Sequence, residues 1–336
     1  MKLTTLCYME KYGKYLLMLR NSKKKRDDPS YGKWIGVGGK LEKDETPDEC
    51  ARREILEETG LTAIKLIPRG IVTFISDKWE TEYMFLYTVN EFEGELTACD
   101  EGELYWVQKD QIFGLNLWDG DRIFLHLLRE NSPYFDMKLV YRGDCLNQCF
   151  INSRQAELFD VMKPDGTPAN YVAERSYVHS AGLWHATVHI WIIRTNLRGK
   201  TELLLQKRSA EKDSNPGCYD VSAAGHITTG EDITEAALRE LNEELGIQAE
   251  ASDLESVGTR KIEFDGVFHE KSFYDKEIGH IFIYRKPVDE KKLKLQKSEV
   301  ELVRWVEFDT CRDAIVEDTV KHCIYTEELD MIAAKF

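Results

Sequence analysis

The sequence predicts an α/β (α+β) chain of two tandem α/β/α sandwich domains, each built on a mixed β-sheet. Three observations carry that expectation. The chain has 336 residues, about twice the roughly 150 of an ordinary domain. The segment from Gly39 to Leu61, GKLEKDETPDECARREILEETGL, returns from Gly225 to Ile247 as GHITTGEDITEAALRELNEELGI. Each copy is flanked by short apolar runs of strand length, with a helical stretch further on.

In chain order, Thr4–Tyr8 and Tyr15–Arg20 read as strands before the first copy. Gly70–Ile75 and Tyr83–Val89 follow it, then a helix over Asp119–Arg129. In the second half, His185–Arg194 and Leu203–Gln206 precede the repeat. Gly279–Tyr284 and Val300–Val306 come after it, then a helix over roughly Thr310–Lys321. The copies stand 186 residues apart, too far for a solenoid repeat. They mark two domains, expected at 1–154 and 155–336, with no Gly/Ser- or Pro-rich linker between them.

Composition narrows the class. Hydrophobic residues are 42% and charged residues 31%, ordinary for a globular chain and contrary to disorder. No apolar run approaches the roughly 20 residues of a membrane span. The start, MKLTTLCYMEK, has no signal-peptide pattern, so a cytoplasmic protein is expected. The eight cysteines are scattered and read as reduced structural thiols. Net charge is −15, with −4 in the first 155 residues and −11 in the rest. That balance opposes binding to a nucleic acid polymer. It leaves small phosphate esters open, because a divalent cation inverts the local sign. The run Lys23-Lys24-Lys25-Arg26 reads as a solvated loop. Oligomeric state is not legible.

Each repeat reads as a loop entering a helix. Thr46 is a good N-cap, Pro47 suits the first helical position and Glu49 completes a capping box; Asp232 and Glu235 are expected to play the same parts. Gly60 and Gly246 fall where a left-handed C-cap belongs. Within the helices, Glu54, Glu57 and Glu58, and likewise Glu240, Glu243 and Glu244, are spaced i, i+3, i+4 and share one face. Carboxylates so crowded repel one another unless a cation sits among them. Oxygen ligands without Cys or His suit a hard ion, Mg²⁺ or Mn²⁺. Such an ion would neutralise a diphosphate and lower the pKa of an attacking water. A single E-x-x-E-E is weak, since glutamates are common on exposed helices. The whole frame with caps, found twice, is strong.

The pattern resembles the Nudix signature, over nearly the whole chain. The resemblance implies that Gly39 lends a carbonyl to the metal, that Glu54, Glu57 and Glu58 bind metal or act as base, and that Arg53 holds Glu45. Gly225, Glu231, Arg239, Glu240, Glu243 and Glu244 match the same roles. Which glutamate is the base varies among such enzymes and is left open.

The first half looks like MutT-type 8-oxo-dGTP diphosphatases through GKWIGVGGK (Gly32–Lys40), NEFEGEL, DEGELYWV and WDGDRIF. That resemblance implies a purine pocket at Trp118 and Asp121, with Phe74 lining it and Lys40 near the substrate. Glu101 matches an extra metal or base glutamate. An indole can stack on a base while a carboxyl reads its edge. Animal members have an asparagine that bonds the base where this chain has Ile35, which offers no hydrogen bond.

The second half is similar to Nudix hydrolases related to type I isopentenyl-diphosphate isomerase, through ELFDVMKPDGTP, LWHATVHIWII, LLLQKRS and PGCYDVSAAGHI. In the isomerases three histidines and two acids hold a metal. His179, His185 and His226 fall near those histidines, and Asp275 and Glu277 near the acids. The isomerase cysteine is Ala224 here, and the box is intact; both favour hydrolysis. For His179, His185 and His189 the alternative is a strand-end imidazole satisfied by hydrogen bonds. Glu299 is expected to be the extra metal glutamate, with Glu301 close behind, and His185 and His226 to approach the substrate. The expectation is a divalent-metal hydrolase acting on nucleotide or diphosphate compounds in both halves. Isomerisation, or a non-catalytic ligand-binding role, is the alternative for the second.

Overall fold

The structure, a computed structural model, describes residues 1–21, 28–212, 214–268 and 271–336; the lysine run at 23–26 lies outside them. The chain divides into two compact units, Met1–Leu158 and Phe159–Phe336. The boundary expected at 154/155 falls inside the strand Arg154–Gln155, which pairs with Phe150 and Ile151. The first unit therefore keeps that strand.

The first unit runs β1 (Lys2–Lys11), β2 (Lys14–Leu19), β3 (Trp34–Ile35), α1 (Pro47–Thr59), β4 (Thr62–Ser76), β5 (Glu82–Glu93), β6 (Glu103–Gln108), α2 (Asp119–Arg129), β7 (Phe135–Arg142), β8 (Cys145–Ile151) and β9 (Arg154–Gln155). Its sheet has the order β3-β2-β1-β5-β4-β7-β8-β9, with β6 beside β2. β1 with β5 and β4 with β7 are parallel, and the other pairs are antiparallel, so the sheet is mixed. Strand alternation sends neighbouring side chains to opposite faces. Cys7 and Met9 pack with Ala51 and Ile55 of α1, whereas Tyr8 meets Phe124 of α2.

The second unit continues with β10 (Leu158–Met162), β11 (Pro168–Glu174), α3 (Arg175–Ala181), β12 (Trp184–Thr195), β13 (Thr201–Arg208), β14 (Tyr219–Asp220), β15 (Ala223–His226), α4 (Ile233–Leu245), β16 (Leu254–Phe268), β17 (Lys271–Tyr284), β18 (Val300–Glu307), α5 (Phe308–Val316) and α6 (Thr326–Ala333). β12 is central, parallel to β17 and antiparallel to β13 and β15. Its Val188, Ile190 and Ile192 pack with Ala236, Ala237 and Leu241 of α4. Trp191 and Ile193 face Cys311 and Ile315 of α5 and Leu329 and Ile332 of α6.

Each half thus has helices on both faces of a mixed sheet, as the sequence predicts. The helix expected to reach Lys321 ends at Val316, where Asp318 turns to a φ of 50° and leaves the helical region. No helix among the described residues is long and apolar enough to cross a membrane.

The capping of α1 is testable. Thr46 Oγ1 accepts from the Glu49 amide and Glu49 returns a bond to the Thr46 amide. Thr46→Ala is expected to destabilise the first unit by about 1 kcal/mol in urea denaturation. Thr46→Ser should stay near wild type.

Candidate active sites

In both units one arginine organises the box. Arg53 forks onto Glu45, with Nε to Oε1 and Nη2 to Oε2 both at 2.9 Å. Its Nη1 reaches Glu54 at 2.8 Å and Glu57 at 3.2 Å, and Nη2 reaches the Lys40 carbonyl at 3.1 Å. The guanidinium holds the Glu45 carboxyl down to about 2. Arg239 repeats these contacts: Glu231 at 2.7 and 3.1 Å, Glu240 at 2.6 Å, Glu243 at 3.1 Å and the His226 carbonyl at 2.9 Å. The helix start differs. In place of the expected reciprocal pair, Asp232 accepts from the amides of Thr234 and Glu235.

The third carboxylates escape the arginine. Glu58 is buried and accepts from the Gly38 amide at 2.8 Å. Glu244 is buried and accepts from the Ala224 amide at 3.1 Å and from Gln206 at 3.2 Å. Burial, aided by neighbouring carboxylates, pushes both up to about 8. Glu57 and Glu243 stand more open, their side chains 60% and 50% exposed.

The two box glycines give an independent reading of what fits. A Cβ on Gly39 would lie 2.3 Å from Glu54 Oε1, and one on Gly225 would lie 2.0 Å from Glu240 Oε1. Only a bare backbone lets these carboxylates lie against the strand, with its carbonyls beside them. In each unit a ring of oxygens, with one carboxyl that burial keeps from ionising readily, fits a hard divalent cation. Glu101 joins the first cluster from the start of β6, paired with Arg20, which also grips Asp28. In the second unit Glu299 pairs with Lys212, while Glu301 is taken by Lys207. Arg20 and Lys212 escaped sequence reasoning; for Arg20 the only signal was a cation closing an otherwise apolar strand.

On the α2 face of the first unit lies an aromatic cluster. The Trp118 ring is edge-on to Trp79 at 6.0 Å and to Tyr141 at 5.7 Å, and Phe74 lies 5.1 Å from Tyr141. Trp118 Nε1 donates to Ser30 Oγ at 3.2 Å. Lys33 Nζ stands 4.2 Å from the Trp118 ring centre. Asp121 is buried, which raises its carboxyl to about 7 despite Lys33. Trp79, Tyr141 and Lys33 were not predicted. Lys40 has an exposed side chain.

In the second unit the structure brings together His179, His185 and His226, and also His185 with Asp275 and Glu277. His179 and His185 Nε2 lie 3.6 and 3.8 Å from Asp275 Oδ1, and Glu277 Oε1 is 4.0 Å from His185 Nε2. The Nδ1 atoms of His179 and His185 meet the carbonyls of Arg175 and Leu183 at 2.9 and 3.0 Å. A carbonyl can only accept, so those Nδ1 atoms carry protons and the Nε2 lone pairs point inward. Burial lowers the pKa of all three histidines, keeping them neutral. His185 Nε2, His226 Nε2 and Asp275 Oδ1 are buried without a hydrogen-bond partner. Buried polar atoms are seldom left so, and imidazole and carboxylate donors together suit a divalent ion. His189 lies beyond Glu277, with Nε2 3.8 Å from Glu277 Oε2 and Nδ1 bonded to Glu328.

The chain belongs to the Nudix family: the NUDIX domain model matches residues 3–128 and 184–322. It is 42% identical over 135 residues to an uncharacterized Nudix hydrolase of Clostridium acetobutylicum, covering 40% of this chain and 63% of that protein. It is 33% identical over 172 residues to Nudix hydrolase 3 of Arabidopsis thaliana, covering 50% of this chain and 22% of that protein. It is 35% identical over 135 residues to the oxidized purine nucleoside triphosphate hydrolase of Danio rerio, covering 40% of this chain and 83% of that protein. The chain thus spans less than two thirds of the first two relatives.

The raised carboxyls set a pH dependence. Glu58 and Glu244 hold protons more tightly in the fold, near 8, than at their ordinary 4.5. With chelator present, the stability they confer is complete below about pH 4.5 and drains away as pH rises through about 8. The urea midpoint should fall across that window, and the Glu58→Gln/Glu244→Gln double variant should flatten the decline. An undiminished slope in the variant would assign it to other groups.

Proposed function

We propose that both units hydrolyse diphosphate bonds in small nucleotide-type substrates with Mg²⁺ or Mn²⁺. The observation that carries this is the repeated cradle: a glycine backbone against a glutamate, with one arginine holding four oxygen groups beside it. In the first unit the Gly39 carbonyl, Glu54, Glu57, Glu58 and Glu101 would hold the cation. Gly225, Glu240, Glu243, Glu244 and Glu299 would do so in the second. A bound cation there would neutralise the diphosphate and acidify water. The protein's own share is placement: Arg53 and Arg239 fix the box loop against the helix and orient two carboxylates each.

For the first unit the substrate is read as a purine deoxynucleoside triphosphate, oxidised purines included, cleaved to monophosphate and pyrophosphate. The pocket of Trp118, Phe74 and Asp121 supports a stacked base whose edge meets a carboxyl that titrates near neutrality. Similarity to the Danio rerio hydrolase points the same way. Ile35, paired with Met18 at the sheet edge, offers the base no hydrogen bond, so Asp121 would bear more of the discrimination. The eight cysteines, all free, support action in the cytoplasm.

For the second unit the compound remains a diphosphate ester of unassigned leaving group, and the histidine–carboxylate cluster is read as a further cation centre. That cluster also favours a second reading, isomerisation of a prenyl diphosphate. Against it stands Ala224, which offers no acid or base where proton transfer on a second face of an alkene would need one.

A phosphate-release screen over oxidised and normal dNTPs, dinucleotides, nucleotide sugars and prenyl diphosphates tests the main reading. Glu57→Gln should cut purine dNTP turnover by about a hundredfold or more, and Glu243→Gln the second unit's activity alike. Turnover unmoved in the double variant would refute hydrolysis at the boxes. For the second reading, isopentenyl diphosphate incubated in D₂O is expected to take up no deuterium; uptake would restore isomerisation.

A further inference from the structure

The buried polar cluster of the second unit extends past Glu277. Two positions beyond Thr187 on β12, and so on the same face of the sheet, His189 places Nε2 3.8 Å from Glu277 Oε2. Its other nitrogen, Nδ1, lies 2.9 and 3.1 Å from the carboxylate oxygens of Glu328. Glu328 belongs to α6 and is 1% exposed. It also accepts from Trp191 Nε1 at 3.3 Å and Arg260 Nη1 at 3.1 Å. Its neighbours Leu329 and Ile332 already seat α6 on the apolar core. Docking the helix therefore does not require a carboxylate there. A buried charge is costly unless its partners are fixed around it, and here all three partners are.

The consequence appears at Glu277. Its Oε2 accepts from Thr187 Oγ1 at 3.2 Å and faces His189, while Oε1 faces His185 Nε2 at 4.0 Å. One oxygen is tethered, and the other is turned toward the unpartnered Nε2 of His185, which also faces the unpartnered Oδ1 of Asp275 at 3.8 Å. We propose that Glu328 is a positioning residue for this cation centre: by holding His189 it fixes Glu277, making the C-terminal helix part of the second site. The proposal rests on the cation reading of the cluster and adds the residue that orients one of its ligands. Groups that orient a ligand from behind govern metal affinity by about ten- to a hundredfold.

The test is a Co²⁺ titration of the full-length chain, followed by the visible absorption of imidazole-bound cobalt. Wild type should show a saturable band that His185→Ala abolishes. Glu328→Gln, which keeps size and packing, should raise the half-saturating Co²⁺ concentration about tenfold and shift the band. His189→Gln leaves Glu328 with Trp191 and Arg260, so it carries the test if the first variant misfolds by circular dichroism; the same weakening is expected. The double variant should be no worse than either single one, because both break one chain of contacts. A band in wild type with affinity and spectrum unchanged in both single variants would overturn the positioning role and leave the cation centre standing. Fully additive losses would also overturn it. Absence of any histidine-dependent band in wild type would instead remove the cation reading and the proposal with it.

Discussion

One guanidinium in each unit is the contact on which the site depends. Arg53 and Arg239 join a loop glutamate, two helix glutamates and a strand-end carbonyl. Without that charge, three carboxylates on one helical face would drive each other apart. With it, Glu54 and Glu57, or Glu240 and Glu243, each surrender one oxygen to the arginine and keep the other free. The compensation is incomplete: one positive charge faces three carboxylates. Glu58 and Glu244, beyond its reach, are held near 8 by burial and their neighbours. The fold thereby stores a deficit of positive charge that a divalent cation is suited to fill.

Much of this was legible because it is written locally. Caps, a helical spacing of carboxylates and two glycines lie within one short segment, and the physics linking them spans a few turns of chain. The α1 capping box and the left-handed Gly60 and Gly246 follow directly. What was not legible depends on distant pairing. Trp79 sits on the connection between β4 and β5, and Tyr141 on β7; only the parallel pairing of β4 with β7 brings Phe74 and Tyr141 together. Arg20 and Glu101 meet because β6 lies beside β2. The long β16–β17 hairpin is faint in the sequence, since its first strand alternates exposed and half-buried residues. The C-terminal α6, with Glu328 on its buried side, has no feature in sequence that sets it apart from an ordinary amphipathic turn.

The register of the two sheets explains how one scaffold can hold unlike chemistry. In the first unit Cys7 bridges to Val37 and Thr4 to Lys40; in the second Ile190 pairs with Ala223 and Thr187 with His226. The frames therefore superpose residue by residue: Gly39 matches Gly225, Leu6 matches His189, and Tyr8 matches Trp191. Side chains alternate, so the positions facing the box helix are apolar in both units and carry the glycine that admits a carboxylate. The opposite face is unconstrained by that helix. There the first unit builds an aromatic wall beside Asp121, and the second builds imidazoles and carboxylates beside Glu328. Because neighbouring residues on one strand serve the two faces, substitutions on the pocket side leave the box geometry in place. Lys40 and His226, the residues just after the box glycines, lend only their carbonyls to the arginine, so their side chains are free to differ. That separation lets the box stay in place while the opposite faces of the two halves differ.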